Sequence, residues 1–184
     1  MVSFDRFTVV LDACTIFPML PRDVLLTLAA HEFFSPKWSP RIRAEWTRNL
    51  VVRMKERSLG GDPQKAVNRI TAVMKEAFPD AEVETEVPEP AVLAPVSPKD
   101  RHVVVTAMAA RADAIVTFNV KDFAASHLKE SLEIEIIHPD DFVMDLVDLN
   151  EKRAVAAFRV RRLQLSGLVQ TSFWVSTQDV AALI

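Results

Sequence analysis

Cysteine is nearly absent from this 184-residue chain, with Cys14 the one example. That count excludes an internal disulfide and leaves too few thiolates for a cysteine-based zinc site, which suits a reducing compartment. No apolar run is long enough to span a bilayer. Residues 1–11 also lack the basic start, apolar middle and small-residue cleavage site of a secretory leader. A cytoplasmic protein with no membrane partner is expected. Positive charge is likewise missing overall: the formal net charge is −3. No general basic field draws the chain to nucleic acid, so any such binding must use a local patch or metal ions. Internal repeats and low-complexity tracts are absent too.

With 49% hydrophobic and 26% charged residues, the chain can bury a full core. The expected organisation is a main domain over 1–148 and a helical extension over 149–184. Charge is segregated between them: residues 151–184 carry five basic and two acidic side chains, +3, which leaves −6 for residues 1–150.

The stretch from Ser97 to Phe123, SPKDRHVVVTAMAARADAIVTFNVKDF, says the most about the fold. Asp100 stands where a carboxylate can accept from the free amides of a helix's first turn. Val103, Val104, Ala107, Met108 and Arg111 then recur at helical spacing, and Asp113 is expected to stop the helix. Ala114 to Phe118 is a short, β-branched apolar run of strand length. Helix, turn and buried strand make half of a parallel crossover, and such sheets gather polar groups at the carboxyl ends of their strands. Asn119 and Asp122 lie at that end.

Phe7–Leu11 reads as another apolar strand, closed by Asp12. Pro21 is expected to open a helix before His31, and Phe33 to Trp38 to hold a two- to three-residue strand around Pro36. Ser39 and Pro40 start a helix whose stripe is Ile42, Trp46, Leu50 and Met54; Glu45 borders that stripe and should be partly buried. Asp62 and Pro63 repeat the cap-then-proline signal before Val67, Ile70, Met74 and Phe78. Pro79–Pro98, with five prolines, five acids and no basic residue, is an exposed connection in which Val83 and Val87 could join an edge strand. A short helix around Leu128, a strand at Ile134–Ile137, a helix from Asp140 through Leu149, a basic helix over 151–165 ended by Gly167, and a last helix Gln178–Ile184 complete the expectation.

Four acids fall at element ends or at a core boundary: Asp12, Glu45, Asp100 and Asp122. Singly, each is an ordinary cap or helix-surface acid. As a set they suggest chemistry, because Asp12 and Asp122 follow strands that converge if they are neighbours, with Asp100 opening the helix beside them. Carboxylates at close range raise one another's pKa unless a divalent cation lies between them. Oxygen ligands without cysteine or paired histidines favour Mg2+ or Mn2+ over Zn2+, and phosphodiester hydrolysis fits. Cys14 has no histidine partner that would make it a nucleophile. His102 could touch a substrate phosphate or be a solvated helix-start histidine. Arg153, Arg159, Arg161 and Arg162 could hold phosphates, face solvent or meet a partner.

The segments VVLDACTIF at 9–17, WSPRIRAEW at 38–46, Ser97–Phe123 and IIHP at 136–139 together resemble PIN-domain ribonucleases, in particular VapC-like toxins of bacterial toxin-antitoxin pairs. The resemblance covers roughly residues 5–148. It implies a three-layer α/β/α sandwich with a central parallel sheet and a Mg2+-dependent (or Mn2+-dependent) acidic site that cleaves RNA. Asp12, Glu45, Asp100 and Asp122 match the family's acidic quartet, with Asp12, Asp100 and Asp122 as metal ligands and Thr117 and Asn119 as supporting polar groups. It also implies a cognate antitoxin partner and leaves homo-oligomerisation open. The sequence departs from the pattern at Cys14, where relatives usually carry asparagine or serine; a thiol is a weaker hydrogen-bonding group. Two other readings stand beside this one: a catalytically silent interaction module with the same fold, and a phospho-aspartate phosphatase. The latter would need a second acid where Cys14 stands.

Overall fold

The computed structural model describes residues 7–56, 61–85 and 90–168. Four short parallel strands form its centre: β1 (Thr8–Leu11), β2 (Ser35–Lys37), β3 (Ala114–Val116) and β4 (Glu135–Ile137), in the order β2-β1-β3-β4. Strands so short still make a firm centre, because Val9, Val10, Leu11, Ala114, Ile115 and Val116 are almost wholly buried. Each fully buried branched side chain among them contributes about 1.5–3 kcal/mol. The helices are α1 (Ala13–Ile16), α2 (Met19–Ala30), α3 (Pro40–Glu56), α4 (Pro63–Ala77), α5 (Arg101–Ala110), α6 (Ala125–Leu132), α7 (Pro139–Leu149) and α8 (Glu151–Leu168). They flank the sheet as a three-layer α/β/α sandwich.

β2 is an edge strand and carries Pro36 opposite Val9, a tolerated place because proline has no amide hydrogen to give the ladder. Beyond it the edge is continued by a single bridge between Trp38 and Glu82. Val83 N–H donates to the Trp38 carbonyl at 2.8 Å; this one bridge replaces the expected edge strand, and Val87 lies outside the described residues. The first half of the α3 stripe is buried as its spacing predicts, with Ile42 and Trp46 fully enclosed, while Leu50 and Met54 are half-buried. The cap of α4 forms through Asp62, whose carboxylate accepts from Gln64 N–H at 2.9 Å.

Several element boundaries differ from expectation. α2 starts at Met19, two residues before Pro21, which the first turn accommodates because that turn's amides have no helical acceptor. Ala13–Ile16 is a helical turn. Asp113 does not end α5; Arg111 does, in the left-handed conformation at φ 50°. Asp113 instead ties the helix to the sheet, its carboxylate accepting from Thr8 N–H at 2.7 Å. α8 runs through Gly167 to Leu168, so that glycine is no terminator. The helix expected at Gln178–Ile184 lies outside the described residues.

α8 packs against α2 and α7. Ala154 and Ala157 are buried, and Arg153 donates to the His31 carbonyl while its guanidinium lies 4.8 Å from the Phe33 ring centre. One of the arginines that could have held phosphates is therefore used to fasten the helix. No helix among the described residues is long and apolar enough to cross a membrane.

Candidate active site

Parallel pairing of β1 with β3 sets Leu11 opposite Val116, so the next residue of each strand, Asp12 and Thr117, meets across the sheet's carboxyl end. The Thr117 hydroxyl donates to Asp12 Oδ2 at 2.7 Å, and both side chains are buried. Cys14 Sγ donates to the same oxygen at 3.0 Å, lies 3.4 Å from Thr117 Oγ1 and accepts from Phe118 N–H at 3.3 Å. The thiol thus makes the contact that its weak donor character left open. Burial, then the Asp12 carboxylate, push its pKa up to about 12, so it stands as a protonated donor. Thr117 Oγ1 also accepts from Asn119 N–H at 3.0 Å. Asn119 therefore joins the cluster through its backbone.

Asp12 and Asp100 occupy N-cap positions of α1 and α5, yet neither carboxylate caps its helix. The expected capping bond of Asp100 does not form, because its backbone sits near the helical region (φ −105°, ψ −7°). The side chain is left free of the helix amides, and Asp100 Oδ2 is buried without a hydrogen-bond partner. Burial is the main cause that raises the Asp100 pKa; Lys99 and a hydrogen bond from Ser97 oppose it, and Asp12 and Asp122 add to it.

Asp122 is carried in by a 3-10 turn at Val120–Phe123. Its carbonyl accepts from Ser97 N–H at 3.0 Å, and the Ser97 carbonyl accepts from Asp100 N–H at 2.9 Å, which couples the two acid-bearing turns. Between them reaches Lys99, with Nζ 3.0 Å from Asp122 Oδ2 and 3.8 Å from Asp100 Oδ2. The hydrogen bond to Asp122, then the charge of Asp100, raise the ammonium pKa.

Asp100 therefore feels both Asp12 and Asp122, and all three acids act on Lys99. Glu45 comes from α3. It is partly buried, as its position on α3 predicts, and lies 3.3 Å from His102 Nε2 and 3.7 Å from Arg41 Nε. The His102 contact is an ion-pair distance without hydrogen-bond geometry. His102 is buried against Glu45 rather than solvated, two residues beyond Asp100.

Among the described residues, no three carboxylate, imidazole or thiol groups converge as a ready-made metal cage. The donor set nevertheless fits a hard cation. Mg2+ needs only one or two carboxylates and fills its other positions with water and substrate phosphate. Asp100 Oδ2 is an unclaimed buried acceptor, and the gap between Asp100 and Asp122 already attracts the lysine cation. Lys99, the Cys14 donor and the His102–Glu45 contact went unseen in the sequence. The thiol's place depends on Thr117 and Phe118, more than a hundred positions away, His102 and Glu45 are likewise far apart in the chain, and Lys99 beside Asp100 carries no motif.

The model of the PIN domain matches residues 8–121. The chain belongs to the PIN-domain family. Over 58 residues this PIN domain is 47% identical to the "Putative ribonuclease VapC50" of Mycobacterium tuberculosis (strain ATCC 25618 / H37Rv), covering 32% of this chain and 34% of the relative. The chain thus spans about a third of that relative's length. No solved structure matches.

Proposed function

We propose that this PIN-domain protein is a metal-dependent endoribonuclease of the cytoplasm, the toxin of a toxin-antitoxin pair, restrained by a cognate antitoxin. The observation that carries the reading is the gathering of Asp12, Asp100 and Asp122 beside one sheet end, with neither N-cap carboxylate spent on its helix. The ribonuclease name of the VapC relative supports RNA as the substrate.

In this reading Asp12, Asp100 and Asp122 hold Mg2+ or Mn2+. Such a cation supplies positive charge against the phosphate oxygens and lowers the pKa of water nearby. Thr117 and Cys14 fix the Asp12 carboxylate in one rotamer, so its position is set before substrate arrives. Lys99 balances part of the negative charge that Asp100 and Asp122 would otherwise turn on an RNA phosphate. In the same reading Glu45, which lies 3.3 Å from His102 Nε2, orients or deprotonates an attacking water.

The test is incubation of the purified protein with mixed RNA, with and without Mg2+, alongside Asp100→Asn. Cleavage that requires Mg2+ and is lost in the variant is expected. Undiminished cleavage by the variant would contradict the site assignment. Absence of both cleavage and metal binding in the intact protein would favour the silent interaction module.

A further inference from the structure

Phe118 stands between two residues of the acid cluster, Thr117 and Asn119, yet it is 38% exposed. A lone exposed aromatic residue needs no explanation. Its placement does. The Phe118 backbone is pinned by the bond from its N–H to Cys14 Sγ, while Thr117 buries its own side chain against Asp12. The ring of Phe118 is held as well. It lies edge-to-face with His138, the ring centres 5.2 Å apart at 77°. His138 follows β4, the neighbour of β3, and its Nδ1 accepts from Asp140 N–H at 3.3 Å. Both rings therefore project from the carboxyl ends of adjacent parallel strands, the end that carries Asp12 and Asp122, and both are oriented before anything binds.

An acid cluster repels the phosphates of a nucleic acid, so a strand brought to it must be held partly by contacts that do not depend on charge. A neutral aromatic face provides one, since every base has a face to stack on it. We propose that Phe118, braced by His138, is the stacking platform for an unpaired nucleobase of the RNA strand next to the phosphodiester at the acids. This rests on the ribonuclease reading above and names how that site grips its substrate.

The experiment uses the full chain and a fluorescein-labelled single-stranded RNA oligonucleotide. Kd is measured by anisotropy in Ca2+, and kcat and KM for cleavage in Mg2+. Phe118→Ala and Phe118→Leu are each expected to weaken binding by about 5- to 100-fold, the range of one lost base–aromatic stack. Phe118→Trp is expected to bind as the wild type does, with indole emission quenched by RNA beyond any change in the wild-type protein. Abasic substitution along the oligonucleotide should locate one position that costs the wild type as much as the Ala variant loses, and costs that variant nothing further. The Leu variant separates stacking from bulk: if it binds like wild type, the platform is refuted. Wild-type RNA binding left unchanged by Phe118→Ala, or the lack of any coupled abasic position, also refutes it while the nuclease reading stands. A wild-type protein that neither binds nor cleaves RNA with any divalent cation overturns both.

Discussion

Replacing Asp100 with asparagine should make the metal-free protein more stable while removing its response to metal. The side chain is only 12% exposed, and Oδ2 has no hydrogen bond to offset the water it has lost. An unsatisfied buried acceptor costs about 1–3 kcal/mol, more when charged. Asp12 and Asp122 add repulsion. Lys99 offsets part of this, but its side chain is 67% exposed and 3.8 Å away, so water screens most of its attraction. A net gain of about 1 kcal/mol on neutralising the carboxylate corresponds to a rise of about 2–4 °C in Tm for a chain of this size. Calorimetry in EDTA would measure it. Mg2+ should then raise the wild-type Tm by binding the folded state alone and leave that of the variant nearly unmoved. The pH dependence has a definite sign. The folded-state pKa of Asp100 is raised above its ordinary 3.8, so between the two values the folded state binds more protons than the unfolded state. Wild-type stability relative to Asp100→Asn therefore recovers as pH falls through that window and is lost as pH rises through the folded-state pKa. A variant that melts several degrees below wild type in EDTA would refute the reasoning, because it would make this carboxylate a structural support.

Thr117→Val removes the buried hydroxyl that donates to Asp12 and accepts from Asn119, and should cost about 1.5–3 kcal/mol in urea unfolding, the value of a hydrogen bond to a charged group; RNA cleavage should fall with it. Cys14, with a pKa near 12, should resist iodoacetamide at pH 8 in the native protein and react readily in urea; equal rates would remove the thiol from its place between Asp12 and Thr117. Above pH 9 its retained proton also implies that wild-type stability declines relative to Cys14→Ala as pH rises toward 12. Lys99→Gln removes the cation that competes for Asp100 and Asp122, and titration calorimetry should show Mg2+ binding a few-fold tighter; weaker binding would mean that the lysine helps to hold the site open.

Where neighbouring residues dictate the outcome, the sequence foretells the structure. Asp62 and Pro63 start α4, Ser39 and Pro40 stand at the start of α3, and the β-branched runs before Asp12 and Asn119 became β1 and β3, because caps, proline geometry and apolar periodicity act within a few residues. Asp100 departs from expectation for the same kind of reason. An N-cap position normally claims its carboxylate, and only a φ and ψ near the helical region release it here. The end of α5 differs from expectation because left-handed Arg111, a residue that seldom adopts that conformation, closes the helix.

Sequence alone determined that the protein has a parallel α/β core and which acids stand at the ends of its elements, because those are matters of local spacing and residue type. The tertiary structure decided what those acids meet. Thr117 reaches Asp12 across 105 positions because β1 and β3 pair in register. Lys99 bridges Asp100 and Asp122 because two turns hydrogen-bond to each other, and His102 lies against Glu45 because α5 brings it toward α3. Such meetings depend on strand order and on turns that place distant segments side by side, which no window of adjacent residues encodes.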